Sequence, residues 1–145
     1  MTKLAMPKVD RKLILKKDEV IKNLKKIIKA ENILDHEDQT RPFETDALSA
    51  YKQKPLVVVF PENTIEVSKI LAYCNQQRIK VVPRGAGTGL SGGALPIEDG
   101  VLLCLGKFNK IIDIDYKNRC VVAQPGVTNL SITQAVEDKG FYYAP

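Results

Sequence analysis

Apolar residues along the chain fall into patterns that predict distinct elements. Residues 56–60 (LVVVF), 79–82 (IKVV) and 101–105 (VLLCL) are nearly continuous runs rich in β-branched side chains, the mark of strands buried on both faces. Two stretches repeat at helical spacing instead. Ile21, Leu24, Ile27 and Ile28 share one face of a helix expected over residues 18–33 behind a cap at Asp18. Val67, Ile70, Leu71 and Cys74 share one face of another, with Asn63 and Glu66 at capping-box spacing and an end near Gln77. Strand, helix and strand over residues 56–82 make a βαβ unit, whose strands run parallel with a right-handed crossover. Residues 111–115 (IIDID) alternate and 119–124 (RCVVAQ) partly alternate around YKN, which predicts an antiparallel hairpin. Pro125 and Gly126 break that strand, Thr128 caps a helix through about Lys139, and Gly140 stands at its stop. No later element is left to cover the hairpin.

These patterns divide the chain into a basic helical N-terminal extension (residues 1–34), a polar lead-in (35–54) and a main unit (55–145). The lead-in, with Pro42 and then Pro55 at its edges, reads as irregular chain with one helical turn around residues 45–51. The fold class is α+β: a small parallel βαβ layer, then the start of an antiparallel one.

Composition narrows the class without naming a function. A chain 44% hydrophobic and 27% charged is neither disordered, collagenous nor a coiled coil. No apolar run approaches the roughly 18–20 residues that cross a bilayer, and the N-terminus lacks the apolar core of a signal peptide, so a cytoplasmic protein is expected. The net charge of +5 is uneven: residues 1–30 hold ten Lys/Arg against three Asp/Glu, and the remainder twelve against fourteen. A basic amphipathic helix suits an anionic membrane or RNA, so a non-enzymatic binding module is the alternative function. Cys74, Cys104 and Cys120 have no CxxC spacing and sit among apolar neighbours, so all are read as buried thiols. His36 is the single histidine, which suggests neither a zinc site nor a catalytic base.

The chemistry is concentrated in PRGAGTGLSGGALP, residues 83–96. Five of the chain's nine glycines lie there, at 85, 87, 89, 92 and 93. Glycines let successive amides converge into a concave nest for an anion such as pyrophosphate, and Thr88 and Ser91 add hydroxyl donors without bulk. The loop leaves the carboxyl end of a parallel strand, where α/β sheets bind ligands. It lacks GxxxxGK[ST], so it is not a P-loop. Gly87, Gly89 and Gly92 satisfy GxGxxG, but a strand rather than a long helix follows, which argues against a Rossmann dinucleotide site.

Residues 57–96, 101–115 and 121–145 together resemble the opening of the FAD-binding domain of the FAD-linked oxidases of the vanillyl-alcohol oxidase type (PCMH-type). Within that group the likeness is nearest to glycolate oxidase FAD subunits and D-lactate dehydrogenases. It runs from about Asp35 to Pro145, and the lysine-rich first thirty residues carry little of it. The resemblance implies that Pro83, Arg84, Gly85, Ala86, Gly87, Thr88, Gly89, Ser91 and Gly92 wrap the FAD pyrophosphate. It also implies that Gly126 makes a second cofactor contact, with Pro125 fixing the approach. Some relatives bond a histidine to the flavin where this chain has Thr88, so FAD is expected to be held non-covalently. The implied activity is oxidation of a small 2-hydroxy acid, glycolate or D-lactate, with a second flavin-domain subunit and an iron-sulfur subunit as partners. The implied location is cytoplasmic and peripheral to the inner membrane. No catalytic or metal-binding residue is assigned, because the family's substrate domain lies beyond this segment. The chain alone is expected to turn over little, and its FAD binding to survive removal of residues 1–30.

Overall fold

The computed structural model describes residues 7–144, so the first six residues of the N-terminal extension and the final Pro145 lie outside the described residues. Two short helices, α1 (Arg11–Leu15) and α2 (Lys17–Leu24), lead to strand β1 (Ile33–Leu34) and one helical turn, α3 (Glu37–Thr40). Then come β2 (Val57–Val59), α4 (Thr64–Gln77), β3 (Lys80–Arg84) and β4 (Gly100–Cys104). The hairpin β5 (Ile111–Asp115) and β6 (Cys120–Ala123) and helix α5 (Asn129–Val136) complete the order. One sheet has strand order β1-β2-β4-β3, with β2 and β3 both parallel to β4 and β1 antiparallel to β2. The second sheet is the antiparallel pair β5-β6. The architecture is thus α+β, a small parallel layer followed by an antiparallel one.

Side chains alternate across the parallel strands, so each continuous apolar run feeds two cores. Val57, Val59, Val101 and Leu103 face α2 and α4, where they meet Val20, Ile21, Leu24, Ile28, Ile70 and Cys74. Val58, Val82, Leu102 and Cys104 face the other way, toward Leu34, Phe43, Phe60 and Ile97. The basic N-terminal segment therefore supplies part of the first core, through Val20, Ile21, Leu24 and Ile28. Removing residues 1–30 would uncover that face of the sheet.

Several local expectations are corrected too. The helix expected over residues 18–33 is α2, which begins at Lys17 and ends its regular part at Leu24; Asp18 lies in its first turn, while Asp10 caps the preceding α1, accepting from the Lys12 amide. The helix cannot reach residue 33 because Lys29 turns to extended ψ, which brings Asn32 into the sheet's hydrogen-bonding. The helical turn expected at residues 45–51 lies earlier, at α3 and a 3₁₀ turn over Arg41–Phe43. At α4, Asn63 caps the Glu66 amide as foreseen, but Glu66 reaches back to the Glu62 amide. Leu71 lies on the rim of the α4 stripe and is exposed. Cys120 is exposed, because the hairpin is covered on one face only; Cys74 and Cys104 are buried, which pushes both thiols up to about 11. That cover is α5, which buries Ile132 and Val136, so the hairpin is not bare.

Edge strand β3 is blunted by Pro83, which has no N–H to offer another chain. Beside it the buried Asp99 carboxylate accepts from Lys80 Nζ at 2.7 and 2.9 Å and from the Asp10 amide at 2.7 Å, tying the N-terminal segment to the sheet. A second clasp lies at the carboxyl ends of β2 and β4. Glu62 accepts from Asn32 at 3.0 Å, Lys29 at 2.9 Å and Lys107 at 3.0 Å. These donors, the Asn32 amide first, bring the Glu62 carboxyl down to about 2.

A carboxyl whose folded-state pKa is depressed contributes stability above its ordinary value of 4.5, and that contribution is lost as pH falls toward about 2. Glu62→Gln should therefore flatten the acid limb: between those pH values the urea midpoint of the wild type should fall further than that of the variant. Parallel curves would show that the clasp does not couple protonation to folding.

Candidate functional site

Because β2, β3 and β4 are parallel, all three deliver their carboxyl ends to one edge of the sheet. Pro83 and Arg84 end β3, and Gly85, Ala86, Gly87, Thr88, Gly89, Ser91 and Gly92 follow in the loop that leaves it. None of the ten amides from Gly85 to Ala94 donates to another group among the described residues. The Thr88 and Ser91 hydroxyls likewise have no partner among the described residues. Main-chain donors left unpaired over such a run are available to an acceptor from outside.

Their directions are set by what their carbonyls do. In a trans peptide the C=O of one residue and the N–H of the next point opposite ways. Leu105 N–H holds Arg84 O at 2.8 Å, Ala47 N–H holds Gly87 O at 2.8 Å, and Leu95 N–H holds Gly92 O at 3.2 Å. The amides of Gly85 and Thr88 thereby point away from Leu105 and from the lead-in at Ala47, and that of Gly93 away from Leu95. Gly87 and Gly92 take φ of 72° and 73°, left-handed conformations that suit glycine.

The Pro125–Gly126 turn comes up beside this loop: a Cβ on Gly85 would lie 3.8 Å from Pro125 O. Gly126 itself is packed on main chain, where a Cβ would meet Leu105 O at 2.6 Å and Phe108 O at 2.8 Å. Its amide donates to Phe108 O at 2.7 Å and so is already used. The expected second contact thus stands next to the loop, with its amide committed to the fold.

The lead-in, read in sequence as a linker, is the part of the site that was missed. Phe43 O and Thr45 O accept from the Arg84 guanidinium at 3.0 and 2.6 Å. Asp46 is 5% exposed; its Oδ1 accepts from the Leu48 amide at 2.9 Å, while Oδ2 has no partner among the described residues. These contacts run largely through main-chain atoms, which residue type does not advertise.

Other candidates lie elsewhere. His36 caps α3 with an exposed ring 3.4 Å from Asp35, and no cluster among the described residues could hold a metal. A cavity of about 500 Å³ lies between the hairpin and α5, lined by Ile114, Val121, Ile132, Val136 and Phe141 among others, and the glycine loop does not border it. On the basic segment, Lys17, Lys25 and Lys29 are engaged by Asp35 O, the Asp35 carboxylate and Glu62.

The unpaired amides, the small residues and the strand-end position are what an anion-binding loop of a nucleotide-cofactor domain requires. The chain belongs to the FAD binding domain family, whose match covers residues 55–145. It is 47% identical over 141 residues to the glycolate oxidase subunit GlcD of Escherichia coli K12, an alignment covering 97% of this chain and 27% of that protein. It is 37% identical over 128 residues to the D-lactate dehydrogenase of Anaerostipes hadrus, covering 88% and 27%. The solved structure of p-cresol methylhydroxylase matches with a TM-score of 0.69 at 20% identity, over 91% of this chain and 26% of that one, a likeness of fold. The chain therefore spans 27% of the length of these two curated relatives. The likeness also extends into the lysine-rich N-terminus, further than expected, in keeping with that segment's place in the core.

Two glycine substitutions separate folding from ligand space. A Cβ at Gly89 meets nothing within 4 Å, so Gly89→Val should leave thermal stability within about 0.5 kcal/mol of wild type. It should nevertheless raise the FAD dissociation constant at least about tenfold, by occupying the space in front of the amides. A Cβ at Gly87 meets Arg84 Nη2 at 2.5 Å in a left-handed conformation, so Gly87→Val should also cost roughly 1–3 kcal/mol of stability. Thermal melts and flavin-fluorescence titrations read both; unchanged FAD affinity in Gly89→Val would contradict the assignment of the loop.

Proposed function

We propose that this chain is the N-terminal, FAD-binding part of a flavin-dependent oxidoreductase that oxidises a small 2-hydroxy acid. The glycine loop of residues 83–93 is the seat of the cofactor's diphosphate. The observation that carries this is the run of ten main-chain amides, Gly85 to Ala94, that donate to no group among the described residues, at the carboxyl end of a parallel sheet. Two linked phosphates offer many acceptor oxygens within one short span, matching donors along a loop better than a single carboxylate does. The loop fits FAD: beyond Arg84, residues 85–93 have no side chain larger than Leu90, which is exposed, and an added Cβ meets nothing at Gly89 and Gly93.

Pro125 and Gly126 form the adjoining wall. FAD is held non-covalently, since the hydroxyl of Thr88 stands where a bonding imidazole would be needed. When bound, FAD supplies acceptance of a hydride from the α-carbon of the hydroxy acid. The residues of this chain contribute binding and orientation, and none of them is proposed as the base. Glycolate and D-lactate are the proposed substrates, following what the relatives' names say they act on. A relative named as a subunit supports assembly with further proteins, a second flavin-domain subunit and an iron-sulfur subunit being the proposed ones. No helix among the described residues is long and apolar enough to cross a membrane. The proposed location is the cytoplasm, peripheral to the inner membrane.

The test is direct. The purified chain is incubated with FAD, separated from free ligand by gel filtration, and its visible absorption recorded. A flavin spectrum should co-elute, and acid precipitation should leave all of that flavin in the supernatant. Flavin remaining with the pellet would contradict non-covalent binding, and a colourless protein peak would contradict the cofactor seat.

A further inference from the structure

Arg84 is the charged side chain closest in sequence to the glycine loop and would ordinarily be taken for a phosphate ligand. Its geometry says otherwise. The guanidinium spends two donors on main-chain carbonyls of the lead-in, Nη1 on Phe43 O at 3.0 Å and Nη2 on Thr45 O at 2.6 Å, and its carbon lies 5.8 Å from the centre of the Phe43 ring. Such a two-pronged grip uses the planar fork that distinguishes arginine from lysine. Phe43 is itself fixed, packing edge-on against Phe60 with ring centres 5.8 Å apart.

From this anchor the lead-in crosses the loop and touches it twice more. Ala47 donates to Gly87 O, and Leu48 Cδ2 lies 3.8 Å from where a Gly92 Cβ would stand. Asp46 bends the segment between these contacts by accepting from the Leu48 amide. Gly87 in turn lies so close over the guanidinium that a Cβ there would be 2.5 Å from Nη2. The loop is therefore held from behind at its root, at Gly87 and at Gly92.

We infer that residues 43–48 form a strap across the glycine loop and that Arg84 is a positioning residue that secures it, presetting the amides that receive the diphosphate. This deepens the FAD assignment and rests on it. Two charge-assisted bonds and one main-chain bond set the orientation, so the guanidinium acts through the loop and not by contact with phosphate.

The test compares the full wild-type chain with Arg84→Lys, Arg84→Gln and Phe43→Leu. Without ligand, ¹⁵N relaxation should show order parameters for residues 85–93 falling from about 0.85 toward 0.6 or below in all three variants. Hydrogen exchange at the Ala47 amide should accelerate with them. FAD affinity, read by flavin fluorescence, should drop about ten- to a hundredfold in both Arg84 variants, lysine included, with the salt dependence of binding unchanged. Phe43→Leu keeps the Arg84 charge and should loosen the same loop. The proposal is overturned if lysine restores affinity while glutamine alone loses it with a shallower salt slope, or if loop order is unchanged in the Arg84 variants. A wild-type chain that binds no FAD would defeat the cofactor assignment, while the ligand-free order parameters still decide the strap.

Discussion

The constraint on which the structure turns is that ten successive amides have no acceptor among the described residues. A helix or strand would have paired them. Glycine at 87 and 92 lets the chain take turns that no ladder accommodates, and the loop stays on the surface, where solvent satisfies the donors at little cost. Pairing them with a strong acceptor gains charge-assisted hydrogen bonds without first breaking internal ones.

Everything around the loop serves to hold that exposed run still. The parallel sheet supplies a rigid exit at Arg84, buried on one face by the N-terminal helix and α4 and on the other by Phe43 and Phe60. Three pinned carbonyls, at Arg84, Gly87 and Gly92, fix the sense of the peptides between them. The Glu62 clasp draws the N-terminal segment and the turn after β4 to the same edge of the sheet. The N-terminal segment, lead-in and glycine loop are thus parts of one mechanical unit, although their compositions differ sharply.

What could be read from the sequence follows from which interactions are written in side chains. The buried strands showed in LVVVF and VLLCL because burial on both faces demands unbroken apolar residues, and the hairpin showed in the alternation of IIDID. The loop showed because an unpaired nest needs glycine. The lead-in did not show: its contacts to Arg84 and Gly87 are made by the carbonyls of Phe43 and Thr45 and the amide of Ala47, which any residue possesses. The basic leader misled for another reason, since its lysines advertise charge while Val20, Ile21, Leu24 and Ile28 carry the burial. The helix boundary at Lys29 was invisible because a turn in ψ there answers to Asn32 and its partners across the sheet, not to local spacing.

The central claim concerns main-chain donors, so it is best tested by observing them. Titrating the ¹⁵N-labelled chain with ADP, which carries the same two linked phosphates as FAD, should move the amide resonances of residues 85–93 downfield together and along one saturating curve. Shifts confined to the cleft between the hairpin and α5, with the glycine amides unmoved, would contradict it.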